Sequence, residues 1–140
     1  MSLKPCGVQY KPGMPTGARV LVKDLEKLGI RYVRITWVDF INNIRYRILP
    51  LNFFKRLLES DRPGISVTTA VFGSVALQLA EGFAPIGEYL YVPDIDSLRV
   101  CPYAEGHASI YGSFQKKVPP PKGGLEVDLC PRSILKKILQ

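Results

Sequence analysis

The chain has 140 residues, of which 46% are hydrophobic and 22% charged, and a formal net charge of +7. That length allows one domain with a core of its own and excludes two, and the composition excludes a disordered or fibrous chain. The positive balance suggests an acidic partner or neighbouring surface, but the basic residues are scattered, which argues against nucleic acid.

The first seventeen residues hold Pro5, Pro12 and Pro15 among glycines, with no periodicity, and read as an irregular arm (1-17). The body of the domain is expected over 18-127. Thr16 is placed to cap a helix over Ala18 to Leu28, with Leu21, Leu25 and Leu28 as its apolar stripe and Gly29 as its stop.

Arg31 to Leu51 is the most informative stretch and reads as two strands joined by a tight loop. Val33, Ile35 and Trp37 alternate with Tyr32, Arg34 and Thr36, the period of a half-buried strand. Beyond the turn-like Asn42-Asn43, Ile44, Tyr46 and Ile48 alternate with Arg45 and Arg47. The hairpin is therefore expected to bury Val33, Ile35, Trp37, Ile44, Tyr46 and Ile48 on one face and to carry Arg34, Arg45 and Arg47 on the other.

Pro50 opens a second helix, since proline in the first turn loses no hydrogen bond. Its apolar face is Leu51, Phe54, Leu57 and Leu58. Pro63 to Ala80 carries no charge and approaches the length of a membrane span, but Ser66, Thr68, Thr69, Ser74 and Gln78 interrupt it. It reads as strand or loop. Gly87 to Asp94 has the composition of a strand closed by a Pro-Asp turn, and Leu98 to Tyr103 and Ala108 to Phe114 read as two more. Lys116 to Gly124 is a loop. Pro131 starts a last helix with Ile134, Leu135, Ile138 and Leu139 as its apolar face, and the stretch 128-140 ends mid-pattern, as a fragment would. The sum is an α+β domain, a mixed sheet packed by helices.

Cys6, Cys101 and Cys130 are odd in number and lack CxxC spacing, so they read as free thiols in a reducing, cytoplasmic setting. No secretory leader is visible. His107 has no serine or cysteine nucleophile in view and reads as a structural or surface histidine. Asp94 and Asp96 read as turn chemistry rather than a metal site. Neither a phosphate-cradling glycine loop nor an HExxH pair is present. Asp39, at the loop end of a core-directed strand, is the candidate site residue. By spacing alone it begins the turn by accepting its own backbone N–H groups; it is also placed where binding residues often sit.

Several stretches together resemble the amino-terminal β-grasp domain of the glutamine synthetase superfamily: YVRITWVDFINNIRYRILPL, FFKRLLESDRPGIS, GFAPIGEYLYVPDIDSLRVCPYAEGHASI and DLCPRSILKKIL. The likeness runs from about Leu25 to Leu139. It implies a β-grasp-like fold and an ATP-dependent ligase that joins glutamate to ammonia or another amine. The catalytic carboxylates of that family belong to a larger carboxy-terminal domain, so this chain alone is expected to be inactive, with no cofactor of its own and with ATP and Mg or Mn serving the full-length enzyme. The resemblance implies a homo-oligomer built through the β-grasp domain, in which Asp39 completes the neighbour's amine site in trans and is exposed in the separate domain. Residues Arg62 to Ser66 depart from the pattern, because they lack the Asp-Gly-Ser-Ser of glutamine synthetases proper. This points toward the branch using other amines. The competing expectation is a stand-alone binding or regulatory module, with Tyr32, Arg34, Tyr103 and the hairpin arginines forming a sheet face for single-stranded nucleic acid.

Overall fold

The computed structural model describes residues 19–76 and 78–139. The expected arm, Thr16 and Cys6 lie outside them.

The hairpin forms as β1 (Tyr32–Val38) and β2 (Ile44–Pro50), antiparallel, and leads directly into α1 (Leu51–Leu58). Pro50 ends the strand and caps the helix at φ −56°, a value its ring already imposes. The uncharged stretch forms β3 (Ile65–Thr68), a 3-10 turn over Thr69–Phe72, and the short pair β4 (Ser74–Val75) and β5 (Gln78–Leu79). Then come β6 (Glu88–Pro93), β7 (Arg99–Val100), β8 (His107–Ile110), β9 (Gly112–Lys116) and α2 (Pro131–Ile138).

The strands divide into a four-stranded sheet ordered β2-β1-β8-β7, a three-stranded sheet ordered β3-β6-β9, and the β4-β5 pair. β1 and β8 run parallel and the other pairs antiparallel, so the α+β, mixed-sheet reading holds. One core fills the space between the two larger sheets. Val33, Ile35 and Trp37 of β1 and Ala108 and Ile110 of β8 meet Tyr91, Phe114, Ile65 and Val67 from the other sheet, with Phe54 of α1 and Leu25 closing the sides. Trp37 packs against Tyr91 and Phe114, with ring centres 5.7 and 6.2 Å away.

Three expectations are corrected. The helix expected over Ala18 to Leu28 does not form over the described part of that stretch. Arg19 bridges Arg99 and the Val20 N–H donates to Leu98 O, so the chain enters extended and only Val22–Asp24 and the turn after it coil. Leu25 alone of the stripe is buried. The stop is as expected: Gly29 at φ +72°, with its N–H on Glu26 O and that of Ile30 on Leu25 O, closes the turn as a Schellman motif.

The second correction is the face of β2. Ile44, Tyr46 and Ile48 are 70%, 51% and 42% exposed, while Leu49 is buried. A two-residue turn at Asn42-Asn43 would bring the apolar rows of both strands together. The turn is instead centred on Ile41. The Asn42 N–H reaches Asp39 O, and Asn42 takes the left-handed conformation at φ +63°. That geometry pairs Trp37 with Arg45 and Ile35 with Arg47. A change of parity in the loop turns the whole strand over.

The single strand expected over Ala108 to Phe114 is two strands that serve different sheets, with the crossing at Tyr111-Gly112. Gly112 is required there, because a Cβ would lie 2.1 Å from Val92 O. The Tyr91 hydroxyl fixes the crossing. It donates to Thr36 O and accepts from the Gly112 N–H, both at 2.7 Å, so one side chain stitches both sheets together.

Candidate functional site

The hairpin tip is built around Asp39. Its backbone N–H donates to Asn43 O, and its carboxylate accepts from three donors: Ile41 N and Asn43 N on Oδ1 at 3.1 and 2.8 Å, and Arg45 Nε on Oδ2 at 2.6 Å. Arg45 also donates to Ser74 O at 2.9 Å, and the Phe40 N–H donates to Phe72 O at 3.1 Å. Phe40 leans on Phe72 and Phe83. The tip and the segment from Thr69 to Phe83 are therefore one piece. Asp39 is only 3% exposed, which overturns the expectation of an exposed carboxylate. The reason is charge. A buried carboxylate needs a cation and donors around it, and the flip of β2 delivers Arg45 to the side where Asp39 lies.

The outward face of the four-stranded sheet gathers a second group. Arg34 lies over the rings of Tyr46 and Tyr103, 5.1 and 5.5 Å from their centres. Its Nε donates to His107 Nδ1 at 3.3 Å, and the His107 ring stacks on Tyr32 at 5.0 Å. Burial, then the charges of Arg34 and Arg31, holds the His107 pKa below the ordinary histidine value. His107 thus acts within the fold as a neutral acceptor, a structural role. Tyr32, Arg34 and Tyr103 do share this face, as the nucleic-acid reading requires, but Arg45 and Arg47 lie on the other side. The latter donates to Ser66 O at 3.2 Å.

The remaining candidates settle into structural work. Asp94 accepts from Asp96 N at 3.2 Å, as a turn aspartate does, and its other oxygen accepts from Arg132 at 2.8 Å. This pair ties the start of α2 to the Pro-Asp turn, two motif residues that sequence reading kept apart. Asp96 pairs with Arg19. Cys101 and Cys130 are buried free thiols. The stretch from Arg62 to Ser66 is also occupied. Arg62 donates to Lys116 O and Lys117 O at 2.9 and 2.8 Å, and a Cβ on Gly64 would sit 2.7 Å from Leu90. Among the described residues no three His, Cys, Asp or Glu side chains come together to hold a metal ion, and no helix is long and apolar enough to cross a membrane.

Sequence reading missed Tyr91 and Arg132; Arg45 was in view only as the partner a buried structural Asp39 would have, and that is the pair that forms. A tyrosine inside an apolar strand is a signal that its hydroxyl has a partner, but the partner, a crossing between sheets, is not visible in the spacing.

No protein-family model matches the chain, and no curated protein matches it in sequence. Solved structures do match in fold. A ligand-free structure of GmaS aligns over 87% of this chain with a TM-score of 0.61 and 18% identity, and a GmaS complex with ADP aligns over 87% with a TM-score of 0.56 and 18% identity. In both cases the chain spans only 25% of the GmaS chain. GmaS is a glutamine synthetase-type enzyme. The fold of this chain is that of a glutamine synthetase-like amino-terminal domain.

Proposed function

We propose that this chain is the amino-terminal domain of an ATP-dependent ligase that joins glutamate to ammonia or another amine, and that it forms part of the contact between subunits. The observation that carries this reading is the fold match over 87% of this chain and only a quarter of the GmaS chain. Such a ligase uses ATP and Mg or Mn. On this reading they belong to a catalytic domain, and this chain's residues bind and position.

Asp39 serves a neighbour's amine site through the loop it shapes. Its carboxylate is spent on Ile41, Asn43 and Arg45, and it therefore sets the path of the backbone that carries Phe40, Ile41 and Asn42 outward. A direct hold on ammonium would require the bond to Arg45 to open.

The test is to express the reading frame that contains this chain to its natural stop and to assay ADP release with glutamate, Mg or Mn, and a panel of amines. Release that needs both glutamate and an amine supports the proposal. A frame that stops at Gln140 and yields a pure, folded, inactive product overturns it.

A further inference from the structure

We infer that the cavity between the end of β1, β9 and the start of α2 binds a flat, uncharged molecule of one or two rings that carries a single hydrogen-bond acceptor. The inference goes beyond the ligase reading and does not depend on it.

The walls are apolar. Trp37 of β1, Tyr91 of β6 and Phe114 of β9 line a space of about 230 Å³ together with Cys130, the residue that precedes α2. Tyr111 and Leu135, both half-exposed, stand at its mouth. A dry cavity of about 150 Å³ accepts benzene, so this space suffices for two fused rings. Trp37, Tyr91 and Phe114 pack on one another, and the Tyr91 hydroxyl is bonded to both sheets. The aromatic side of the cavity is therefore formed before any ligand arrives.

One polar group in these walls is left over. Among the described residues, Trp37 Nε1 is the buried side-chain nitrogen or oxygen without a hydrogen-bond partner, on a residue only 7% exposed. Such an N–H destabilises the fold until an acceptor reaches it. The neighbouring polar groups are engaged already. The Tyr91 hydroxyl serves Thr36 O and Gly112 N, and the Cys130 backbone bonds Val127 O and Ile134 N. A buried water needs two to four polar partners. These walls offer it one, so water fits poorly, whereas apolar rings with one acceptor leave nothing unmet. Charge narrows the class further. Arg132 is the charged residue of the lining, and it is paired with Asp94 at 2.8 Å and turned to Gly112 O. An anion would have to break that pair, and a cation would meet a guanidinium. The ligand is therefore neutral.

The test uses the chain's one tryptophan, whose indole N–H gives a single cross-peak in a proton–nitrogen correlation spectrum. Quinoline, uncharged near neutral pH and carrying one acceptor nitrogen, is titrated into the 140-residue chain. Naphthalene, the same shape without the acceptor, is titrated beside it. The expected result has three parts. Quinoline moves the indole proton downfield and naphthalene does not. Quinoline protons show nuclear Overhauser contacts to Phe114 and Leu135. Quinoline also binds about tenfold more tightly than naphthalene, the gain expected from giving an orphaned donor its partner. W37F, checked for folding by circular dichroism, should bind the two molecules alike; if it does not fold, the indole shift and the contacts in the parent decide. An indole peak that quinoline leaves in place, equal affinity for both molecules, contacts that map elsewhere, or a folded W37F that still prefers quinoline overturns the inference.

Discussion

Replacing Asp39 by asparagine separates a structural carboxylate from one held in reserve for a ligand. The substitution keeps the size of the side chain and one acceptor, but sets an NH2 group against Arg45 Nε, where the carboxylate oxygen now stands at 2.6 Å. Hydrogen bonds to charged groups contribute about 1.5–3 kcal/mol each, and breaking a buried pair costs about 3–5 kcal/mol. The Arg45 side chain is 30% exposed and can recover part of its hydration, so the expected loss is about 2–3 kcal/mol. For a chain of this size that corresponds to a melting point lower by roughly 7–10 °C. Urea denaturation should show the midpoint falling with the slope unchanged. R45Q should cost at least as much as D39N, because it leaves the buried carboxylate without its cation, and the double variant should cost less than the two single losses added together, because both remove one interaction. A D39N chain within about 0.5 kcal/mol of the parent, the range of ordinary surface changes, would refute the argument and return Asp39 to the set of free carboxylates.

Three other outcomes follow from the same geometry. Y91F leaves Thr36 O and Gly112 N without their 2.7 Å partner and should cost about 2–4 kcal/mol by chemical denaturation, since two buried backbone groups are orphaned. G112A drives a methyl group into Val92 O; it should destabilise by about 3 kcal/mol or more, and in amide exchange the β6-β9 ladder should open before the β1-β2 ladder. His107 titrates lower in the fold than in the unfolded chain. The unfolded state therefore binds the proton first as pH falls, and the stability His107 contributes is full above the ordinary histidine pKa and lost as pH drops through the folded value. H107Q should flatten this part of the pH–stability profile below the ordinary histidine pKa, and an unchanged slope would show that His107 does not cause it.

The parts of the fold that sequence made legible are those decided locally. The alternation in β1, Pro50 before α1, Gly29 at φ +72° and Pro131 in the first turn of α2 each follow from the conformational limits of a few neighbouring residues. The parts that escaped depend on distant partners. Ile44, Tyr46 and Ile48 alternate as cleanly as a buried row does, and nothing within β2 says which side faces the core. That choice was made by the loop, where Asn42 in the left-handed region centred the turn on Ile41. Likewise Ala108 to Phe114 carries the pattern of one strand, and only the contact of Gly112 with Val92 and Tyr91 shows that it changes sheets.

The same loop parity governs the candidate site. With β2 in the orientation that its apolar row suggests, Arg45 would face solvent and Asp39 would lack a cation, so its burial would be costly. In the orientation it takes, Arg45 bonds Asp39 and Ser74 at once, and three apolar side chains are left uncovered on the opposite side. Exposing them costs hydrophobic energy that a solitary domain has no reason to spend. A cleanly alternating strand that turns its apolar side outward and its arginines inward is stable in water only at a loss. A partner that buries the row removes that loss, so the buried Asp39–Arg45 pair and the open face of β2 are two consequences of one register.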